Sequence, residues 1–143
     1  SDTALRALLR EPAIATALDA ARGADIACVG IGANGVGSSA EIVAALRLNR
    51  QERKVFDAAA PVGDICARFF DVNGDEVNTA VHDRVLAVNL DDVRAVPTVF
   101  AVAVGAVKGP GSRGALRGGL IDALGCDEAA AHAVLSTATP AAG

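Results

Sequence analysis

The chain contains no methionine, tryptophan or tyrosine, and phenylalanine occurs only four times in 143 residues. Proteins that hold nucleic-acid bases or neutral sugars often stack aromatic rings on them, so this composition disfavours both kinds of stacking site. The net charge is −4 and the basic residues are scattered, which excludes a dense basic surface for phosphodiester backbones. Such a chain is better suited to a ligand held by charges and backbone donors, and that favours a phosphorylated sugar.

Cysteine and long apolar segments are also scarce. Cys28, Cys66 and Cys126 form no Cys-x-x-Cys pair and lie in apolar runs, so we expect buried, reduced thiols in a cytoplasmic protein. No apolar run approaches the ~18 residues that span a bilayer, and no secretory leader is recognisable, so we expect no membrane partner. Because the chain lacks an initiator methionine, we expect it to be a fragment of a longer protein.

The hydrophobic content of 52% is sufficient for the core of one domain. Continuous apolar runs at 25–32 and 98–104 predict strands buried on both faces, and 63–71 predicts a third strand before an Asn73-Gly74 turn. Helical periodicity predicts helices at 3–22, 38–48, 50–59, 111–124 and 128–135. This alternation predicts an α/β fold with a mostly parallel sheet flanked by helices.

Particular residues mark the predicted helix boundaries. Pro12 should split the first helix, because it cannot donate a hydrogen bond to the preceding turn. Ser38 or Ser39 is predicted to cap the third helix, while Asn49 and Asp127 are predicted to cap later ones.

Residues 30–35 match the G-x-G-x-x-G pattern directly after a predicted strand. Glycines in this pattern let backbone amides approach a phosphate at a helix N-terminus. A second strand ending in an acid should follow about twenty residues later, yet residues 50–59 have the pattern of a basic helix. We therefore favour a tight turn at the rim of a pocket, which makes Gly32 a candidate ligand-binding residue, over dinucleotide binding.

Two charged residues stand at the ends of predicted strands. Asp64 follows Gly63 and precedes an apolar run, and at a pocket mouth its carboxylate would accept hydrogen bonds from ligand hydroxyls. Lys108 follows strand 98–104, where ligands of open α/β sheets bind, and with Gly105 beside it could hold an anion. The alternative for each is a solvated surface charge.

Other reactive residues lack the partners that catalysis requires. His82 and His132 have no neighbour at metal-ligand spacing, and no serine lies in a nucleophile-elbow context. We therefore expect no metal and no cofactor.

An ordered series of segments resembles the effector-binding domain of the SorC/DeoR-like bacterial sugar-binding transcriptional regulators. These segments are residues 12–21, 25–32, 61–71, 82–86, 91–94, 97–99, 101–105 with Lys108, and 115–120. The resemblance implies a three-layer fold similar to that of ribose-phosphate isomerase and glucosamine-6-phosphate deaminase. It places the family's sugar-hydroxyl acid at Asp64, its anion-binding lysine at Lys108 and a close backbone approach at Gly105.

The resemblance further implies that residues 1–143 form part of a sugar-phosphate effector domain and are not an enzyme. DNA would be bound only through a domain outside this chain, and the effector would act on a homo-oligomer. Two other hypotheses remain open. One is a sugar-phosphate isomerase or deaminase that uses Asp64 for proton transfer, for which only His82 offers a second acid–base group. The other is a nucleotide-binding module that uses residues 30–35.

Overall fold

The computed structural model describes residues 2–136, and the predicted frayed tail from Ala138 lies outside them. The helices are α1 (Asp2–Leu9), α2 (Pro12–Arg22), α3 (Gly37–Ala45), α4 (Arg50–Ala58), α5 (Leu90–Ala95), α6 (Gly109–Arg117) and α7 (Glu128–Leu135). The strands are β1 (Ile26–Gly30), β2 (Gly32–Ala33), β3 (Gly63–Ile65), β4 (Arg68–Phe70), β5 (Thr98–Ala103) and β6 (Ala123–Cys126). The predicted α/β class is confirmed.

A parallel sheet with the order β1-β5-β6 forms the centre of the fold. Side chains alternate along β5, so that Val99 and Ala101 point into the main core while the residues between them face solvent. The core is completed by Leu90 and Val93 of α5 and by Ala115 of α6. Helices therefore flank this sheet, as predicted.

The opposite face of the parallel sheet is uncovered by residues 2–136. Ile26 is 65% exposed, Phe100 38% and Val102 48%, although all three are apolar. The prediction that these strands are buried on both faces is therefore wrong for the part of the chain described. Parallel sheets are normally covered on both sides, so this face is an unusual surface for a folded protein.

A second, antiparallel sheet has the order β2-β3-β4 and begins where β1 ends. The backbone N–H of Ile31 donates to the carbonyl of Val102 at 3.2 Å, which fixes the start of this sheet to β5. The predicted single strand 63–71 is instead a hairpin, because Cys66 and Ala67 turn the chain with φ values of 53° and 62°. Neither is a usual residue for left-handed backbone, so no local pattern indicates a turn there.

The predicted helix 111–124 is also wrong in its second half. Helix α6 ends at Arg117, and Gly119 reverses the chain with a φ of 62°. The chain then enters β6, which pairs in parallel with β5. The third strand of the main sheet was therefore missed.

Most predicted helix boundaries are confirmed. Pro12 opens α2, the Asn49 side chain accepts from two first-turn amides of α4, and Asp127 caps α7. The serine cap of α3 is wrong, because the N-cap is Val36 and Ser39 lies inside the first turn with a different partner. That helix and α4 pack beside the hairpin through a second core, in which Phe56 and Phe69 meet edge to face at 5.1 Å.

The cysteines are exposed, so their predicted burial is wrong. Cys28 lies on the uncovered sheet face, Cys66 in the hairpin turn and Cys126 at the end of β6. Among the described helices, none has the length and apolar character needed to cross a membrane.

Candidate functional site

Asp64 occupies the middle of β3 and is 6% exposed. Its Oδ1 accepts a hydrogen bond from Ser39 Oγ at 2.5 Å, and its Oδ2 accepts one from the backbone N–H of Ala67 at 3.2 Å. A carboxylate has about four acceptor positions, so each oxygen retains capacity for one further donor. Because Ser39 lies in the first turn of α3, this hydrogen bond joins Asp64 to the N-terminal end of that helix.

Gly32 is the residue directly opposite Asp64 in the β2–β3 pairing. A Cβ atom on Gly32 would lie 1.8 Å from Asp64 Oδ1 and 2.3 Å from Ser39 Oγ. Only glycine therefore leaves room for this carboxylate and its donor. The glycine-rich stretch also enters β2 instead of turning straight into a helix, so it does not form the phosphate turn of a dinucleotide fold.

Lys108 ends a short 3-10 turn after β5 and immediately precedes α6. Its side chain is half-buried, and no hydrogen bond or ion pair of its ammonium is found within residues 2–136. Gly105 directly precedes this 3-10 turn with a φ of 91°, and a Cβ added to it would meet nothing within 4 Å. The space above Gly105 is open, as a ligand would require, but its N–H already donates to Asp127 Oδ1 at 3.0 Å.

All four predicted site residues lie at the carboxyl edge of the parallel sheet. Gly32 follows β1 and Lys108 follows β5, and the pairing of β2 with β3 brings Asp64 to the same edge. Glycines let the segments next to the two charged groups pack closely. A Cβ on Gly63 would lie 2.8 Å from the Cα of Gly111 in the first turn of α6. No ion pair joins Asp64 to Lys108 in the described part of the chain.

His82, the second acid–base group of the enzyme hypothesis, is bonded to a residue other than Asp64. His82 Nδ1 lies 2.6 Å from Glu76 Oε1, and it makes no bond with Asp64 among the described residues. Arg68 holds the segment that follows, since its guanidinium donates to the carbonyls of His82, Val85, Ala87 and Val88. Within residues 2–136 no cluster of three metal-binding side chains occurs.

Cys66 is the nucleophile nearest to Asp64 along the chain. Although Cys66 is exposed as a whole residue, partial burial of its thiol raises the pKa of that group, and the negative charge of Asp64 raises it further. A thiol with a raised pKa is a poorer nucleophile at neutral pH, which disfavours covalent catalysis by Cys66.

Sequence reasoning missed Ser39 as the partner of Asp64 and Asp127 as the partner of Gly105. The sequence predicts only a helix-capping role for each of them, because each residue matches a local capping pattern. Their second roles depend on contacts 25 and 22 residues away in the chain, for which a single sequence carries no signal.

Comparison with known proteins gives a match to one family over residues 1–136, described as "Putative sugar-binding domain". The transcriptional regulator LsrR of Enterobacter sp. (strain 638) is 35% identical over 132 residues, which cover 92% of this chain and 41% of that protein. The deoxyribonucleoside regulator of Bacillus subtilis (strain 168) is 36% identical over 88 residues, covering 62% of this chain and 28% of that regulator. The chain thus spans less than half the length of these curated relatives.

Solved structures agree with these relatives. The full-length sorbitol operon regulator SorC of Klebsiella pneumoniae superposes with a TM-score of 0.82 at 26% identity, over 95% of this chain and 44% of that one. A DeoR family transcriptional regulator from Listeria monocytogenes gives 0.80 at 28% identity, over 93% and 53%. These proteins are named as transcriptional regulators and none as an enzyme, in agreement with the prediction.

Proposed function

Because the chain belongs to the sugar-binding domain family of SorC/DeoR-like transcriptional regulators, we propose that it is part of an effector-binding domain for a sugar or sugar phosphate. The observation that carries this proposal is that two charged groups lie at the carboxyl edge of one sheet: a buried carboxylate with acceptor positions open, and an ammonium without a partner among the described residues. Asp64 and Lys108 supply complementary chemistry, which a phosphorylated polyol matches at its two ends.

Asp64 would recognise sugar hydroxyls. Two of its acceptor positions are filled by Ser39 and Ala67, which fix the carboxylate in one orientation before a ligand arrives. Hydrogen bonds to a charged group contribute about 1.5–3 kcal/mol each, so one or two hydroxyls would discriminate strongly between ligands. Gly32 takes part by leaving the space that this orientation requires.

Lys108 would bind the anionic end of the ligand. It stands at the start of α6, a nine-residue helix whose N-cap supplies no side-chain hydrogen bond. The first-turn amides of α6 and the ammonium of Lys108 therefore present positive charge together. Gly105 would contribute open space above its α-carbon and not a donor, since its N–H is engaged.

The whole protein is proposed to be a cytoplasmic, homo-oligomeric regulator in which the effector favours one arrangement of subunits. The uncovered apolar face around Ile26, Phe100 and Val102 supports the view that residues 1–143 are part of a larger domain. The net charge of −4 supports DNA binding through a part of the protein other than this one. An isomerase or deaminase is less well supported, because His82 is bound to Glu76.

A thermal-shift screen of sugar phosphates, their unphosphorylated parents and NAD tests this function. A ligand at one hundred times its Kd stabilises the folded state by about 2.7 kcal/mol. We expect Lys108→Ala to abolish most of the stabilisation by a sugar phosphate and little of that by the parent sugar. Lys54→Ala is the matched control, since Lys54 is exposed on α4.

Three results would contradict the proposal. Equal losses for phosphorylated and unphosphorylated ligands would remove Lys108 from an anion site. Turnover of a sugar phosphate would show an enzyme, and stabilisation by NAD alone would show a nucleotide-binding module.

A further inference from the structure

The loop that carries Lys108 is tied to the following helix through a single carboxylate. Asp127 Oδ1 accepts from the backbone N–H of Gly105 at 3.0 Å and from that of Ala130 at 2.9 Å. These backbone donors, Gly105 first, hold the pKa of the Asp127 carboxyl below its ordinary value. One oxygen thus caps α7 and fixes Gly105, the residue that precedes the 3-10 turn of the β5–α6 loop.

The other end of α7 is held by α6. The Arg113 guanidinium donates to the carbonyls of Ala133 at 2.6 Å, Val134 at 3.0 Å and Ser136 at 2.5 Å. Between these two attachments Gly109 packs so closely on the helix that an added Cβ would lie 2.5 Å from that of Ala133. Helix α7 therefore braces the whole segment 105–113.

Within that segment, the conformation at Gly105 depends on the Asp127 bond more than on packing. Nothing lies within 4 Å of the Cβ position of Gly105, and its φ of 91° is one that glycine leaves freely for other values. The carbonyl of Gly105 accepts from the N–H of Lys108 at 3.0 Å, which closes the 3-10 turn. A change at Gly105 would therefore be passed directly to Lys108.

We propose that Asp127 is a positioning residue for the anion subsite, which it serves by fixing the Gly105 turn that aims Lys108. This inference rests on the proposed function, because it presupposes that Lys108 binds an anion. In this proposal Asp127 does not contact the anion, and its charge would oppose a bound phosphate. What the site needs from Asp127 is an acceptor oxygen in the right place, and not the negative charge.

Two conservative variants separate geometry from charge. Asp127→Asn keeps an Oδ1 that accepts both N–H groups and removes the charge. Asp127→Glu keeps the charge and displaces the oxygens by one methylene. Asn49→Ala is the matched control for loss of a helix cap, since Asn49 caps α4 with no link to the Lys108 loop.

The measurement is an NMR titration of the 143-residue chain and its variants with inorganic phosphate, together with amide hydrogen exchange at Gly105. We expect Asp127→Asn to bind phosphate at least as tightly as the wild type, with a protected Gly105 amide. Asp127→Glu should expose that amide and weaken phosphate binding by about tenfold, the value of one charge-assisted hydrogen bond. Asn49→Ala should leave both readouts unchanged.

The outcomes distinguish this inference from the function beneath it. If the wild type binds phosphate and Asp127→Glu binds it equally well, the positioning role is refuted and the anion site stands. Loss of binding in Asp127→Asn with retention in Asp127→Glu would show that charge matters, and would also refute it. A wild type that binds no phosphate at Lys108 would refute the anion site itself, and the positioning role with it.

Discussion

The substitution Gly32→Ala tests the geometry of the candidate site most directly. Its methyl group would lie 1.8 Å from Asp64 Oδ1, whereas a non-bonded carbon needs roughly 3.5 Å. The backbone of Gly32 is held in place by the β2–β3 pairing, so the Asp64 carboxylate must be the group that moves. A displaced Asp64 can no longer face both Ser39 and Ala67.

The expected cost follows from those two contacts. Each hydrogen bond to a charged group contributes about 1.5–3 kcal/mol, and rehydration of the displaced carboxylate offsets part of the combined loss. We therefore expect Gly32→Ala to lower the free energy of unfolding by about 3 kcal/mol, or Tm by roughly 10 °C for a chain of this size. Stabilisation by any sugar ligand should disappear with it.

Gly30→Ala provides the control two residues earlier. A Cβ at Gly30 would meet nothing within 4 Å, and its φ is not in the left-handed region. This variant should change the free energy of unfolding by less than about 1 kcal/mol, in the stabilising direction if at all. Urea titrations of both variants, with ligand thermal shifts alongside, make the comparison. Equal unfolding midpoints for Gly30→Ala and Gly32→Ala would refute the steric pairing of Gly32 with Asp64.

Two further variants test the supports of the site by urea unfolding. Ser112→Ala should raise the free energy of unfolding by about 1–2 kcal/mol. The Ser112 hydroxyl is buried without a partner among the described residues, so its removal relieves an unsatisfied polar group. A loss of stability would show that this hydroxyl is hydrogen-bonded. Arg68→Met should lower the free energy of unfolding by about 3–5 kcal/mol, because four carbonyls between His82 and Val88 lose their donor. A change of less than about 1 kcal/mol would show that water replaces the guanidinium there.

The parts of the fold that follow local rules were predictable from sequence. Pro12, Asn49 and Asp127 mark helix starts through chemistry that acts within one turn, and each was placed correctly. Strand β5 was found because its run of β-branched and aromatic residues is long. These signals need no knowledge of what lies across the sheet.

The missed elements depend on tertiary partners. Strand β6 has the sequence Ala-Leu-Gly-Cys, which carries no β-branched residue and extends an apparent helical pattern. Its strand conformation comes from pairing with β5, and Gly125 is needed there because Phe100 fills the Cβ position at 2.9 Å. The Cys66–Ala67 turn was hidden for a related reason, since the pairing of β3 with β4 imposes positive φ on residues that do not favour it.

The candidate site shows the same limit in its most informative glycine. Gly32 belongs to a G-x-G-x-x-G pattern, and its type alone is consistent with backbone approach to a phosphate. In the structure, Gly32 makes room for the carboxylate of Asp64, which lies 32 residues later in the chain, on β3. The absence of a side chain at Gly32 indicates a close neighbour, but only the strand pairing identifies that neighbour as Asp64.

Close glycine packing also holds helix α6 against the strands that carry Asp64. An added Cβ on Gly114 would lie 2.7 Å from the Asp71 carbonyl, and one on Gly118 would lie 2.6 Å from the Cα of Gly74. With the Gly63–Gly111 contact, helix α6 therefore meets β3 and the turn after β4 backbone to backbone along its length, which leaves little freedom between this helix and Asp64. Under the proposed function, an effector that bridges Asp64 and Lys108 would therefore not act by drawing helix α6 towards Asp64. Its influence would instead pass to another part of the proposed assembly, for which the uncovered apolar face of Phe100 and its neighbours offers a surface.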